Sequence, residues 1–80
     1  MPSIKPIHYK NLVKVFEAAG WTYQRTRGDH MIFTKNGYVR PVVIPRYKTV
    51  PVFIIKNNLR TAKIANEDYF KLLKPVSKLI

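Results

Sequence analysis

The pattern of hydrophobic positions near the amino terminus predicts an amphipathic helix. Apolar side chains recur at three- and four-residue spacing, and Lys10 and Lys14 fall on the opposite side of the same helix. Gly20 is expected to end this helix, because glycine adopts positive φ without a Cβ penalty. The apolar stripe consists of Tyr9, Leu12, Val15, Phe16 and Ala19.

The segment that follows alternates in the manner of a β-strand. Residues 21–26 are rich in aromatic and β-branched side chains, which favour strands. Strict alternation would put Trp21, Tyr23 and Arg25 on one face of this strand. Of these three side chains, we expect Trp21 and Tyr23 to pack in the core.

Two more strands are predicted after a turn at Gly28-Asp29. Residues 30–35 form the second strand and residues 38–44 form the third. Asn36-Gly37 between them is the strongest hairpin signal in the chain. Pro41 has no N–H donor, so we expect an unpaired edge position or a bulge there.

Two further helices complete the predicted elements. Pro51 suits the first turn of the second helix, which Thr49 or Val50 would cap. Asn66 is expected to cap a short third helix, and Pro75 is expected to stop it. The apolar positions are Val52, Ile55, Leu59 and Ala62 in the second helix and Tyr69, Phe70, Leu72 and Leu73 in the third.

The element order predicts an α+β fold, α-β-β-β-α followed by a short terminal helix. Its simplest arrangement is a three-stranded antiparallel sheet with both main helices on one face, because this buries the apolar stripes. The opposite face of the sheet then stays available for a ligand. The 80 residues are expected to form one domain, 1–80, with a modest core.

The charge balance narrows the function. The chain carries 15 Lys and Arg against 4 Asp and Glu, a net charge of +11 that favours nucleic acid, an anionic membrane or an acidic protein. The absence of cysteine excludes thiolate metal sites, and we expect no metal or cofactor. No segment is apolar enough for a signal peptide or a membrane span, so a cytoplasmic protein is expected.

One short segment, Arg-Thr-Arg-Gly-Asp-His, combines a turn with a histidine and cations. RNA cleavage needs a base for the ribose 2′-hydroxyl and cations that hold the phosphate. His30 is therefore the candidate catalytic residue, and Arg25, Arg27 and Gly28 are candidate RNA-binding positions. Asp29 is the candidate that orients the histidine. The competing interpretation is purely structural, with His30 starting a strand and pairing with Asp29.

Further RNA contacts are predicted after the second and third strands. Lys35, Arg46 and Lys48 would extend a phosphate track, with Arg as a bidentate fork and Lys as a mobile charge. Tyr47 lies in the same basic loop and is the best candidate to stack on a base. His8 has no basic cluster nearby and is expected to be a surface residue at the start of the first helix.

With these motifs the chain resembles the HicA family of small bacterial and archaeal toxins, which are mRNA interferases. The resemblance runs from about His8 to Leu73 and covers nearly the whole chain. It rests on Ala19-Gly20-Trp21, the Arg-x-x-Gly-[Ser/Asp]-His element at 25–30, Val43-Ile44-Pro45, and the segments 50–55 and 59–62.

The resemblance implies a double-stranded-RNA-binding-domain-like fold, a catalytic histidine at His30 and a HicB-type antitoxin that covers the site. An acidic antitoxin would also suit the positive charge of the chain. The chain departs from the family pattern at three positions. Asp29 stands where many members have serine, Tyr47 where many have a second histidine, and Lys63 where a glycine often ends the second helix.

The leading hypothesis is a type II toxin, a metal-independent endoribonuclease that cleaves mRNA and is silenced by its antitoxin. The first alternative is a non-catalytic module of the same fold that binds double-stranded RNA by shape and leaves it intact. The second is a protein-binding domain whose basic face meets an acidic partner. The chain has only four Asp and Glu residues, which argues against a metal nuclease or a glycosidase, because these enzymes need paired acids.

Overall fold

The protein has an α+β fold in which three helices accompany a three-stranded antiparallel sheet, as the element order predicts. The computed structural model describes the backbone of residues 3–78 and the side chains of residues 3–75. None of the helices within 3–78 has the length and apolar character needed to cross a membrane. The elements are α1 Tyr9–Ala18, β1 Thr22–Arg27, β2 His30–Thr34, β3 Val42–Pro45, α2 Val52–Ala62 and α3 Asn66–Lys78.

The sheet has the order β1-β2-β3, and its buried face lies against the helices. Phe33 pairs with Val42 across β2 and β3, and both side chains are fully buried. We call this buried side the inner face and the opposite side the outer face. The core on the inner face is formed by Leu12, Val15 and Phe16 of α1, Phe33, Val42 and Ile44 of the sheet, and Ile55, Leu59, Ala62 and Tyr69 of α2 and α3.

The end of α1 confirms the predicted glycine cap. Gly20 has φ +94, and the N–H of Trp21 donates to the carbonyl of Phe16 at 3.0 Å. This bond satisfies a carbonyl that the helix itself leaves without a partner. Trp21 is only 3% exposed, so its predicted place in the core is confirmed.

A β-bulge in β1 overturns the strict alternation predicted for this strand. Tyr23 pairs with Phe33 and Arg25 pairs with Ile32, so Gln24 is an extra residue. Tyr23 and Arg25 therefore point to opposite faces of the sheet. The hydroxyl of Tyr23 lies 2.7 Å from that of Thr26, which agrees with this shift.

The predicted burial of Tyr23 is wrong, since its side chain is 46% exposed. Its ring packs edge-on against Phe33, with the ring centroids 5.7 Å apart. The helices pack over the β3 side of the sheet, and β1 is the edge strand farthest from β3. The ring therefore has core on one side and solvent on the other.

The third strand is shorter than predicted and begins after Pro41. Asn36-Gly37 forms a tight turn, with the N–H of Tyr38 donating to the carbonyl of Lys35 at 3.1 Å. The chain then leaves the sheet, because Tyr38 packs on Trp21 at a centroid distance of 5.0 Å. Pro41 therefore lies outside β3 rather than at an unpaired position within it.

The beginning of α2 also differs from the prediction. Pro51 occupies the cap position, and its carbonyl accepts hydrogen bonds from the N–H groups of Ile54 and Ile55. Val50 is instead fully buried and forms an isolated β-bridge with Ile7. Burial of an apolar side chain thus decides the role of Val50, and the predicted caps Thr49 and Val50 are wrong.

The third helix is longer than predicted. The N–H of Tyr69 donates to the carbonyl of Ala65, so Ala65 and not Asn66 holds the cap position. Pro75 lies inside α3, which continues to Lys78. Proline has no N–H, so the carbonyl of Lys71 lacks its intrahelical donor, and α3 continues past Pro75 without this hydrogen bond.

Two buried polar atoms have no hydrogen-bond partner among the described residues, Asn58 Nδ2 and the hydroxyl of Tyr69. Tyr69 is among the largest fully buried side chains of the core. Burial disfavours its charged form and raises the pKa of Tyr69 to about 12.

Candidate functional site

His30 and Asp29 form a contact at the turn between β1 and β2. His30 Nδ1 lies 2.9 Å from Asp29 Oδ1, and the His30 side chain is 46% exposed. A carboxylate only accepts hydrogen bonds, so in the neutral imidazole Nδ1 carries the hydrogen towards Asp29 and Nε2 keeps a lone pair. The imidazole is thus held through one nitrogen while the other is able to accept a proton from a ligand.

Both predicted arginines lie on the same face of the sheet as His30. Arg27 pairs directly with His30 across β1 and β2, and Arg25 pairs with Ile32. Paired residues project to the same face, and His30 and Ile32 are two residues apart, so they share a face as well. The outer face therefore combines one imidazole with two exposed guanidinium groups.

Gly28 makes the turn before His30 possible. Its φ is +60, a left-handed backbone conformation that residues other than glycine rarely adopt. A Cβ at this position would meet no atom within 4 Å, so space is not the limitation. Glycine is needed here for the backbone conformation, and it leaves the turn open to a ligand.

The basic loop after β3 is tied to this turn through the backbone. The N–H of Arg46 donates to the carbonyl of Asp29 at 2.7 Å. The carbonyl of Tyr47 accepts from the N–H of Tyr9 at 3.1 Å, which also anchors the loop to the start of α1. Tyr47 is 40% exposed, and Lys48 beside it is also exposed. The loop thus presents Tyr47 and Lys48 at the His30 end of the sheet.

The side chain of Arg46 packs against Tyr9, the first residue of α1. Its guanidinium carbon lies 5.7 Å from the centre of the Tyr9 ring, a cation–π contact. Arg46 therefore approaches the His30 turn with its backbone, while its charge lies over α1.

Lys35 is the predicted site residue that the structure does not bring to His30. It follows the opposite end of β2, about 16 Å away at a rise of about 3.3 Å per residue. Its Nζ donates to the carbonyl of Ala19 at 2.8 Å and lies 5.6 Å from the centre of the Tyr38 ring. Ala19 and Lys35 are 16 residues apart in the chain, so no local pattern in the sequence indicated that this lysine would bind a carbonyl at the end of α1.

The remaining histidine has the surface position predicted for it. His8 caps α1, and its Nδ1 accepts a hydrogen bond from the N–H of Lys10 at 3.1 Å. Within the described residues, no group of three or more His, Asp or Glu side chains is arranged to hold a metal ion. The charged groups near His30 are the carboxylate of Asp29 and the guanidinium groups of Arg25 and Arg27.

Comparison with known proteins identifies a family that the chain matches. A family model described as "HicA toxin of bacterial toxin-antitoxin" matches residues 9–64, from α1 to just beyond α2. The matched segment includes the His30 turn and the basic loop but ends before Leu73, where the resemblance was expected to extend. No curated protein and no solved structure gives a significant match to the chain.

Proposed function

The chain belongs to the HicA toxin family of bacterial toxin–antitoxin systems, and on this basis we propose that it is a metal-independent endoribonuclease acting on mRNA. The observation that carries the proposal is the contact between His30 Nδ1 and Asp29 Oδ1 at 2.9 Å, on an exposed face beside Arg25 and Arg27. This arrangement supplies a proton acceptor together with groups that bind phosphate.

In the proposed reaction, His30 Nε2 takes the proton from a ribose 2′-hydroxyl. The 2′-oxygen attacks the neighbouring phosphorus, and the bond from phosphorus to the 5′-oxygen breaks. The imidazolium then gives its proton to the leaving 5′-oxygen. The products are a 2′,3′-cyclic phosphate and a 5′-hydroxyl, and no other reactant is needed.

The neighbouring side chains have distinct roles in this proposal. Asp29 orients the imidazole and stabilises its charged form. Arg25 and Arg27 bind the non-bridging phosphate oxygens as negative charge builds up, so guanidinium groups do what a metal would do elsewhere. Tyr47 stacks on a base and Lys48 adds a mobile charge. Lys35 is left out because its ammonium group is engaged by Ala19.

The partner in this proposal is an antitoxin of the HicB type with an acidic surface. A net charge of +11 favours rapid association with such a protein and with RNA alike. Both ligands would then compete for the His30 face in the cytoplasm, where mRNA is found. Competition of this kind would be sufficient to silence the toxin.

The direct test is cleavage of an mRNA transcript in EDTA by the wild-type protein and by His30→Ala. We expect the variant to cleave at least about 100-fold more slowly and to bind the transcript as before. His8→Asn is the matched control, since asparagine keeps the cap of α1 and the variant should cleave normally.

Two results would contradict the proposal. Equal cleavage by His30→Ala would remove the histidine from the mechanism. Intact RNA with the wild-type protein, bound but not cut, would favour the non-catalytic RNA-binding module. Product ends identified by mass spectrometry test the mechanism separately, because a 3′-phosphate formed without a cyclic intermediate would contradict attack by the 2′-oxygen.

A further inference from the structure

We propose that a second basic surface, at the opposite end of the protein from His30, binds the RNA backbone outside the cleavage site. We call it the distal groove, an open groove of about 350 Å³ between the β2–β3 loop and the end of α2. Its cations are Arg40 from the loop, Arg60 from α2 and Lys63 from the position just after α2, and Tyr38, Val39 and Thr61 also line it.

The topology separates the distal groove from the His30 face. His30 pairs with Pro45 at one end of the β2–β3 ladder, and Phe33 pairs with Val42 at the other. The loop of the groove connects the strands beyond this second end. The helix α2 has 11 residues and spans about 16 Å at about 1.5 Å per residue. Arg60 and Lys63 are at its far end from the basic loop.

The charges around the groove have one sign. Lys56 and Arg60 are four residues apart on α2, which has no acidic residue, and Lys63 follows directly after the last residue of this helix. Like charges four residues apart repel each other. A second groove of about 310 Å³ adjoins Arg60 and is lined by Lys56 as well. No ion pair relieves this repulsion within residues 3–75, where the Asp29–His30 contact is the one salt bridge.

Lys63 has an unfavourable backbone conformation for its residue type. With φ 55 and ψ 42, it is the one non-glycine residue of the described chain in the left-handed region. Glycine avoids the steric conflict of Cβ at this position after a helix. The α2 dipole favours a cation here, but that does not account for Arg40, which belongs to a different element. A ligand of negative charge accounts for both.

RNA fits this surface better than an acidic peptide does. Val39 and Tyr38 are the apolar side chains that line the distal groove, and the ring of Tyr38 is already packed on Trp21. The cations repeat along α2 as phosphates repeat along a strand. The proposal rests on the proposed function, since an RNA cut at His30 must continue past it. About five stacked nucleotides, at about 3.4 Å each, span the length of α2.

The test compares binding of two RNAs to proteins carrying His30→Ala, so that no cleavage occurs. One RNA has about 20 nucleotides and the other is a trinucleotide, too short to reach both surfaces. Adding Arg60→Gln and Lys63→Gln should weaken binding of the long RNA severalfold. The salt slope, which is the change in log K with log salt concentration, should also become smaller in magnitude by about 1.4, or about 0.7 for each lost phosphate contact. Binding of the trinucleotide should not change.

The matched control removes two exposed cations from α3, with Lys71→Gln and Lys74→Gln. An equal loss in this control would show a general charge effect and would overturn the proposal. An unchanged salt slope in the groove variant would overturn it as well. If the groove variant keeps its RNA affinity but loses affinity for an acidic antitoxin, the groove binds protein instead.

Lys63→Gly separates binding from folding. It removes the charge and also relieves the left-handed strain, so we expect a higher melting temperature together with weaker binding of the long RNA. A more stable variant that binds the long RNA as the parent does would contradict the proposal. All of these measurements use uncut RNA, so they remain informative if the protein proves not to be a nuclease.

Discussion

Arg27 and His30 are direct partners across the β1–β2 hairpin, and the bulge at Gln24 sets this register. If the pairing of Tyr23 with Phe33 continued without the bulge, Arg25 would lie opposite Met31 on the inner face. The extra residue returns both arginines to the outer face with the histidine. The arrangement of side chains at the candidate site thus depends on an irregularity in an edge strand.

Deleting Gln24 should be tolerated, because the remaining residues of β1 keep the observed partners without a bulge. The protein loses the hydrogen bond between Gln24 Nε2 and Thr34 Oγ1, 2.7 Å long and exposed, at a cost of about 1 kcal/mol or less. Deleting Thr26 instead moves Arg27 opposite Met31, and cleavage should fall sharply. Cleavage assays and urea unfolding of both deletions check this, and loss of activity without Gln24 would contradict it.

Asp29 should matter for turnover more than for folding. Its side chain is 61% exposed, so Asp29→Ala should leave the free energy of unfolding nearly unchanged. Loss of the contact with His30 Nδ1 should lower kcat about 10-fold or more, since partners that orient a histidine have effects of that size. Asp29→Asn keeps an acceptor and should lose less. Equal kcat values for all three proteins would mean that Asp29 has no orienting role.

Substitution of Lys35 should affect stability and not RNA binding, whereas substitution of Lys48 should affect RNA binding and not stability. Lys35→Ala removes the bond from Nζ to the Ala19 carbonyl at 2.8 Å and should cost about 1–2 kcal/mol of stability. Its affinity for a trinucleotide should stay near that of the wild type. Lys48→Ala should weaken RNA binding without lowering the melting temperature. The reverse pattern would return Lys35 to the phosphate track predicted from the sequence.

Tyr69→Phe should leave stability unchanged or slightly increased near neutral pH, because it removes a buried hydroxyl that has no described partner. At high pH the difference should grow. The pKa of Tyr69 is raised from 10.0 to about 12, so the phenol ionises more easily in the unfolded chain than in the folded protein. The wild-type protein therefore loses stability relative to Tyr69→Phe as the pH rises from 10 towards 12. Other groups cancel when the two proteins are compared, so urea unfolding across this range isolates the tyrosine.

The sequence was most informative where a local pattern determines the structure. The stripe of α1, the glycine after it and the order of the strands are encoded by neighbours in the chain, and these predictions are confirmed. The bulge at Gln24 was not predictable, because Tyr-Gln-Arg-Thr-Arg alternates equally well in either register. Lys35 was misplaced for another reason, since its partner at Ala19 is distant in sequence.

The ends of the helices were also difficult to predict from the sequence. Val50 was expected to cap a helix but is buried, and Pro75 was expected to end a helix that continues past it. For Val50, packing in the core outweighs the local preference, whereas Pro75 is exposed and the structure offers no packing reason for the longer helix. The roles of His30 and its neighbours stay predictions, since the sequence and the fold bring these groups together without testing what they do.

The bond between the Arg46 N–H and the Asp29 carbonyl determines which substitutions the basic loop tolerates. It joins the basic loop to the histidine turn through main-chain atoms, so every amino acid except proline can form it at position 46. Side chains of the loop can therefore be exchanged while the turn keeps its shape. Under the proposed function, substitutions at Tyr47 and Lys48 should change the RNA preference and leave the contact between His30 and Asp29 intact.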